Sequence, residues 1–331
     1  MYAGRRAAAR TSFAMLAVAT LALAGCGGDS DDAAEPGQAS AEPTGKPEVT
    51  DISFGILPTP DYAPVQIGIT EGFFEDEGLN VTTTIANPGT VVPSLLNGTL
   101  TIAGVNWIGF VQAVSQDVPL VGLVESDLGP NNYAEFMVAA DSPYQSLADL
   151  DGKKIGVVAT PGNCDLIPLA QLEEEGSDAK PEFVNLAIPE MGAQISRGGV
   201  DAACVPEPTL SALKASGDFR SVGDLFSGDY EGFPIVGFSV AKPFAEENPN
   251  TTAALKRALT KATAFAADDD AAVRAALKAF TQIPPAAIDA MVLPEYAPET
   301  DPARIERAVE LVKSTGTNPD AELPEGSIYG Q

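Results

Sequence analysis

The stretch Leu96-Asn97-Gly98-Thr99-Leu100-Thr101-Ile102-Ala103 returns 100 positions later as Ser196-Arg197-Gly198-Gly199-Val200-Asp201-Ala202-Ala203. In each copy a glycine stands where a helix ends, since a residue without Cβ enters the left-handed C-cap conformation at little cost, and a short apolar run follows that suits a buried strand. Phe54-Gly55-Ile56-Leu57 returns likewise, 101 positions later, as Ile155-Gly156-Val157-Val158. Working outward, Ile52 to Leu57, Val81 to Ala86 and Leu100 to Val105 read as strands, separated by helical spacing over Val65 to Glu77 and Val91 to Asn97. The second half repeats the order. Strands are expected at Ile155 to Val158, Phe183 to Ile188 and Val200 to Val205, with helices over Leu166 to Glu175 and Met191 to Arg197. Alternation of this kind indicates parallel pairing. The expected fold is therefore α/β with two related lobes, each a mainly parallel sheet flanked by helices. Residues 49–135 form the first part of lobe 1 and residues 136–240 form lobe 2, with hinge strands over Ala134 to Ser142 and Pro234 to Lys242. Residues 241–331 are helical in pattern (Thr251 to Ala267, Ala271 to Phe280, Pro302 to Ser314) and are expected to return to lobe 1.

Ahead of these lobes, Arg5, Arg6 and Arg10 precede an apolar stretch from Thr11 to Ala24, too short to cross a bilayer as a helix. Residues 1–25 read as a signal peptide, and Leu23-Ala24-Gly25-Cys26 resembles the bacterial lipobox, which implies a lipid-modified Cys26 at the new N-terminus. Residues 26–48 are Gly, Ser, Ala, Pro and acid, with no large apolar residue before Val49, and read as a flexible tether. The expected location is extracytoplasmic, lipid-anchored to the bacterial cell membrane. Over 331 residues there are 19 Lys and Arg against 46 Asp and Glu, a net charge of −27, which argues against holding nucleic-acid phosphates. No histidine is present, so Ser-His-Asp and Cys-His catalysis and imidazole metal sites are excluded. No metal or cofactor is expected.

Paired α/β lobes bind ligands at the carboxyl ends of their strands, in the crevice between them. The loops there supply the candidate binding residues Asp61, Tyr62, Asn87, Thr90, Asn106, Trp107, Asn132, Thr160, Gly162, Asn163, Met191 and Glu207. These loops carry Asp61, Glu125, Asp127, Asp165, Glu190 and Glu207 but no Lys or Arg, which shifts the expected ligand toward a neutral or amine-bearing solute. Tyr62, Trp107, Phe110 and Tyr133 fall on the same loops and offer stacking surfaces. Glu207 stands 100 positions after Trp107, so the two are read as facing each other, one stacking and one accepting an N–H bond. Tyr62 and Trp107 also read as half-buried lobe aromatics, and Glu207 as a group bonding backbone amides in its Pro206-Glu207-Pro208 turn.

Three further stretches carry a resemblance: Glu71-Gly72-Phe73-Phe74-Glu75-Asp76-Glu77-Gly78-Leu79, Leu147 to Val157 (LADLDGKKIGV) and Val200 to Pro208 (VDAACVPEP). In order and spacing they resemble signature stretches of the substrate-binding proteins of ABC importers for sulfonates, nitrate, taurine and thiamine-precursor pyrimidines. The resemblance covers roughly residues 50–315 and implies a two-lobed periplasmic-binding-protein-like fold of type II that closes on a small solute and delivers it to a permease and its ATPase. It implies a monomeric transport protein and no enzyme. The favoured ligand is a heterocycle such as a thiamine-precursor pyrimidine; the alternative is a sulfonate, taurine or nitrate held by helix N-termini. A cleft enzyme using carboxylates is the competing class, and the missing histidine counts against it. Cys164 and Cys204 lie near the ends of neighbouring strands and read either as a disulfide or as two buried thiols.

Overall fold

The computed structural model describes residues 43–330; the segment read as a signal peptide, Cys26 and the stretch read as tether up to residue 42 lie outside the described residues. In lobe 1, β1 (Asp51–Ile56) leads through α1 (Ala63–Thr70) and α2 (Phe73–Asp76) to β2 (Asn80–Ile85), then through α3 (Val91–Leu96) to β3 (Ile102–Asn106). The helix expected over Val65 to Glu77 is split because Gly72 takes φ +77°, a left-handed turn that an L side chain enters only with strain. Helix α4 (Trp107–Val114) follows β3 directly, and β4 (Leu120–Glu125) and β5 (Asp127–Gly129) lead out of the lobe.

Lobe 2 opens with β6 (Ala134–Ala139) and β7 (Lys154–Val157), continues through α5 (Asn163–Glu174), β8 (Glu182–Asn185) and α6 (Met191–Ser196) to β9 (Ala202–Pro206), and ends with α7 (Thr209–Ser216) and β10 (Phe219–Asp224). The chain then returns by β11 (Phe233–Pro234) and β12 (Val236–Ala241) to α8 (Lys242–Glu247), α9 (Pro249–Asp268), α10 (Asp270–Phe280), α11 (Pro285–Ala290), β13 (Glu295–Tyr296) and α12 (Pro302–Ser314).

The two five-stranded sheets run β2-β1-β3-β12-β4 and β10-β6-β9-β7-β8. The parallel pairs β1/β2, β1/β3, β7/β8 and β7/β9 are those expected from the repeat. Both crossing strands enter antiparallel, β12 between β3 and β4 and β6 between β9 and β10, so each sheet is mixed. A third sheet, β11-β5-β13, joins the two crossing segments to the C-terminal region. Both repeat glycines are C-caps with positive φ, +75° at Gly98 and +72° at Gly198.

The core is continuous beneath these sheets and includes Phe54, Ile102, Trp107, Phe110, Phe136 and Phe238. Helices α9 and α10 pack on α1, while α11 also packs on α7 and α12 on both α4 and α5, so the C-terminal segment touches both lobes. Residues 43–48, read from composition as tether, run along α9: the Arg257 guanidinium donates to Pro43 O at 2.9 Å and Gly45 N donates to Asn250 Oδ1 at 2.8 Å. Glu48 accepts from the first-turn amides of α9, Asn250 N at 3.1 Å and Thr251 N at 2.8 Å. Desolvation pushes the Glu48 carboxyl up, but these backbone donors pull it down to about 2.

Candidate functional site

A cavity of about 120 Å3 lies between the lobes at the carboxyl ends of β1, β3, β7 and β9. Lobe 1 supplies Leu57, Thr59, Asp61, Tyr62, Pro88 and Asn106; lobe 2 supplies Val158, Ala159, Gly162, Asn163, Cys164, Ile188 and Pro206. The crossing segments close it with Tyr133, Ala134, Leu225, Phe226, Ile235 and Val236. Most of this lining is apolar, and no Lys or Arg belongs to it.

Local sequence explains how the polar groups come to point here. Asn106 ends β3 and caps α4, its Oδ1 accepting from Gly109 N at 2.7 Å. Gly162 precedes α5, and its N–H donates to Asp165 Oδ1 at 2.6 Å. The backbone at Gly162 comes close to Asn106 across the cleft: a Cβ there would lie 3.8 Å from Asn106 Oδ1. Burial pushes the Asp165 carboxyl up to about 6, against the lowering by the amides of Gly162, Asp165 and Leu166. The Tyr62 ring lies over Gly104, where any Cβ would overlap the phenol, and its hydroxyl donates to Gly104 O at 3.4 Å. The Tyr133 hydroxyl donates to Asp61 Oδ1 at 3.1 Å, and Ser126 Oγ donates to Asp61 O at 2.6 Å.

Two cavity-lining oxygens are buried without a partner, Thr59 Oγ1 from lobe 1 and Asn163 Oδ1 from lobe 2. An unpaired buried polar atom costs about 1–3 kcal/mol, which a bound solute offering N–H donors recovers. By contrast, the amides that a helix N-terminus could offer an anion are engaged at Gly109 and Gly162 by Asn106 and Asp165. Burial, then the nearby charge of Asp61, raise the hydroxyls of Tyr62 and Tyr133 far above the usual phenol value, so both remain neutral donors.

Of the residues expected at the site, Asp61, Tyr62, Asn106, Gly162 and Asn163 line this cavity together. Asn87 lines an outer vestibule of about 450 Å3, mostly apolar, that the cavity opens beside. Its side chain accepts from Gly89 N at 3.0 Å, and the exposed Thr90 donates to Asn87 O at 3.2 Å. Thr160 is exposed and outside the lining. Asn132 takes φ +65° and gives its N–H to Asp224 Oδ2 at 2.8 Å. Met191 is fully buried in lobe 2 among Met137, Val205 and Leu210.

Trp107 and Glu207 do not face each other across the cleft. Trp107 begins α4 and is fully buried, its ring lying over the backbone of β4 and β12 where Gly122 and Gly237 leave room, with Phe110 edge-on at 5.2 Å. Phe110 is core for the same reason. Glu207, 2% exposed, accepts from Ser211 N at 3.0 Å, Ser211 Oγ at 2.8 Å and Val292 N at 3.2 Å, so it bonds backbone amides and ties α7 to the C-terminal segment. Cys164 and Cys204 form a disulfide, S–S 2.01 Å, that fastens the start of α5 to β9 at the cavity wall. Thr59, Leu225, Phe226, Ile235 and Val236 were not among the sequence candidates; Ile235 and Val236 lie on a segment whose apolar pattern marked it only as hinge, and Leu225 and Phe226 follow β10 in a stretch given no role.

The family model described as NMT1/THI5 like matches residues 59–272, more than half of the chain and most of both lobes. The chain belongs to this family. Its fold is that of solved periplasmic binding proteins. The alkanesulfonate-binding protein SsuA from Xanthomonas axonopodis pv. citri, bound to MOPS, is 18% identical with TM-score 0.69, over 88% of this chain and 99% of that one. The periplasmic nitrate-binding protein NrtA from Synechocystis PCC 6803 is 17% identical with TM-score 0.64, over 73% of this chain and 70% of that one. The Candida albicans CA3427 gene product, described as having the generic periplasmic binding protein fold, is 10% identical with TM-score 0.70, over 84% and 94%. No curated protein matches the chain in sequence. Among the described residues of this NMT1/THI5-like protein, no helix is long and apolar enough to cross a membrane, and no three acidic, Cys or His side chains gather to hold a metal.

Proposed function

We propose that this NMT1/THI5-like chain is the extracytoplasmic, lipid-anchored solute-binding component of an ABC importer and captures a small ring bearing an amine. It acts by closure rather than chemistry: the solute joins contacts from both lobes, and the closed state gains only the contacts that the open state lacks. Residues 49–135 and 241–331 serve as one half of the clamp and residues 136–240 as the other, with Cys26 as the anchor. The observation that carries the ligand class is the cavity lining. Asp61, the unpartnered Asn163 Oδ1, and the absence of any Lys or Arg favour a solute that donates hydrogen bonds over an oxyanion, and the unpartnered Thr59 hydroxyl can serve either. The volume of about 120 Å3 suits a single ring, since a dry cavity of roughly 150 Å3 binds benzene. A thiamine-precursor pyrimidine is one such solute.

The test is a thermal-shift screen of the chain from residue 26, with Cys26→Ala to keep it soluble, against aminopyrimidines, aminopyridines, taurine, ethanesulfonate and nitrate. Ring amines are expected to raise the melting temperature, by a stabilisation of about 2.7 kcal/mol at a hundredfold excess over Kd. A rise with taurine, ethanesulfonate or nitrate alone refutes the ligand class.

A further inference from the structure

Behind the cavity stands a second carboxyl group that the solute does not touch. Asp127 opens β5, on the segment that leaves lobe 1, and its register partner on β13 is Tyr296. It is fully buried, and neither carboxylate oxygen has a hydrogen-bond partner. Its neighbours are the Val236 amide and Asp61, which lines the cavity and whose main-chain oxygen accepts from Oγ of Ser126, the residue before Asp127, at 2.6 Å. Around the two, Tyr133 donates to Asp61 and Tyr296 donates its hydroxyl to Pro60 O at 3.0 Å, while Tyr62 is committed to Gly104 O at 3.4 Å. Glu125, two residues before Asp127, adds negative charge, and the guanidinium of Arg304 is spent on Glu125 at 2.8 Å and on Asp301 at 3.4 Å. Beyond Tyr296 stand Asp270 and Arg274, and the Arg274 guanidinium donates to the carbonyls of Ile288 and Met291. No cation is therefore paired with either Asp61 or Asp127 among the described residues.

Two buried carboxyl groups side by side without a counter-cation hold one proton between them, because two adjacent negative charges are too costly away from water. Burial first, then the Asp61 charge, push Asp127 well above the usual carboxylate range, which places the proton on the inner member.

We infer that Asp61 and Asp127 form a single proton-sharing acceptor for the cationic nitrogen of the solute, so that a cation enters the cavity in exchange for the shared proton. The exchange balances: the ammonium or ring cation sits against Asp61, Asp127 gives its proton to solvent, and the pair ends with two negative charges facing one bound positive charge. Asp127 is then a positioning residue that selects for charge without touching the solute. A neutral ring leaves the proton in place. This inference rests on the reading of the cavity as an amine site and adds a proton linkage to it.

Infrared spectroscopy tests the pair without any ligand. Near neutral pH the wild-type chain is expected to show the carbonyl stretch of a protonated carboxylic acid hydrogen-bonded to a carboxylate, and Asp127→Asn is expected to lack it. Should that variant fail to fold, the wild type alone serves: 4-aminopyridine, a cation at neutral pH, is expected to abolish the band, and aniline, its neutral counterpart, to leave it. Calorimetry in two buffers of different ionisation enthalpy is expected to count about one proton released per 4-aminopyridine bound, with affinity rising roughly tenfold per pH unit while the proton is held. Binding of 4-aminopyridine with no proton release and an unchanged band refutes the linkage while the amine-site reading stands. A band that Asp127→Asn does not remove overturns the pair whichever solute the cavity takes.

Discussion

Reduction of the Cys164–Cys204 bridge is the perturbation whose size the structure sets most directly. The two cysteines are 40 positions apart and join the first turn of α5 to β9. Closing a loop of that length removes chain entropy from the unfolded state worth about 4 kcal/mol in the loop-closure account. For a domain of this size, near 2 °C per kcal/mol, the melting temperature is expected to fall by about 8 °C. The affinity should fall with it, because Asn163 and Gly162 line the cavity immediately before Cys164, whose bridge to β9 fixes the first turn of α5 against the cavity wall. The assay is a melting curve and a titration with 4-aminopyridine, with and without reductant, on protein whose two thiols are counted after reduction. Cys204→Ser, which removes a fully buried sulfur behind the wall, should reproduce both losses. Full reduction with neither property changed would refute the assignment of the bridge as the brace of the binding loop.

Trp107→Ala opens the core beneath Gly122 and Gly237 and is expected to destabilise by about 3–5 kcal/mol, while the tryptophan emission of the wild type stays constant on adding 4-aminopyridine; a solute-dependent emission change would place the ring at the site after all. Asp165 is raised to about 6 from 3.8, so its contribution to stability is complete below about pH 4 and lost as pH rises through 6. Melting of wild type against Asp165→Asn from pH 4 to 7 should therefore show the wild type losing about 2.4 kcal/mol relative to the variant. A difference that stays flat or grows with pH would contradict the burial argument.

The chain order of strands and helices is legible because it is local. Apolar runs of strand length, helical spacing and glycines that must turn left-handed are written within a few residues, and Gly98 and Gly198 take the φ their positions require. Part of the site is legible for the same reason: Asn106, Gly162 and Asn163 sit at strand-to-helix junctions that the topology places at the cleft. Asp61 and Tyr62 follow from the first such loop. The 100-residue offset that relates Trp107 to Glu207 is correct in the fold and wrong for the side chains, because each begins or precedes a helix whose first turn sends the group inward.

What the sequence by itself determined is thus the order of elements, the paired lobes and the acidic, cation-poor character of the loops between them. The tertiary structure alone decided which side chains meet. Trp107 became core because glycines on β4 and β12 accept its ring, and Glu207 became a tie because Val292, 85 positions on, presents its amide. Phe226 reached the cavity only through the segment that returns from β10, and Asp127 met Asp61 across 66 positions. Long-range pairing of this kind depends on sheet register and on which faces are left open when the sheets form, and neither is encoded in the few residues around any one position.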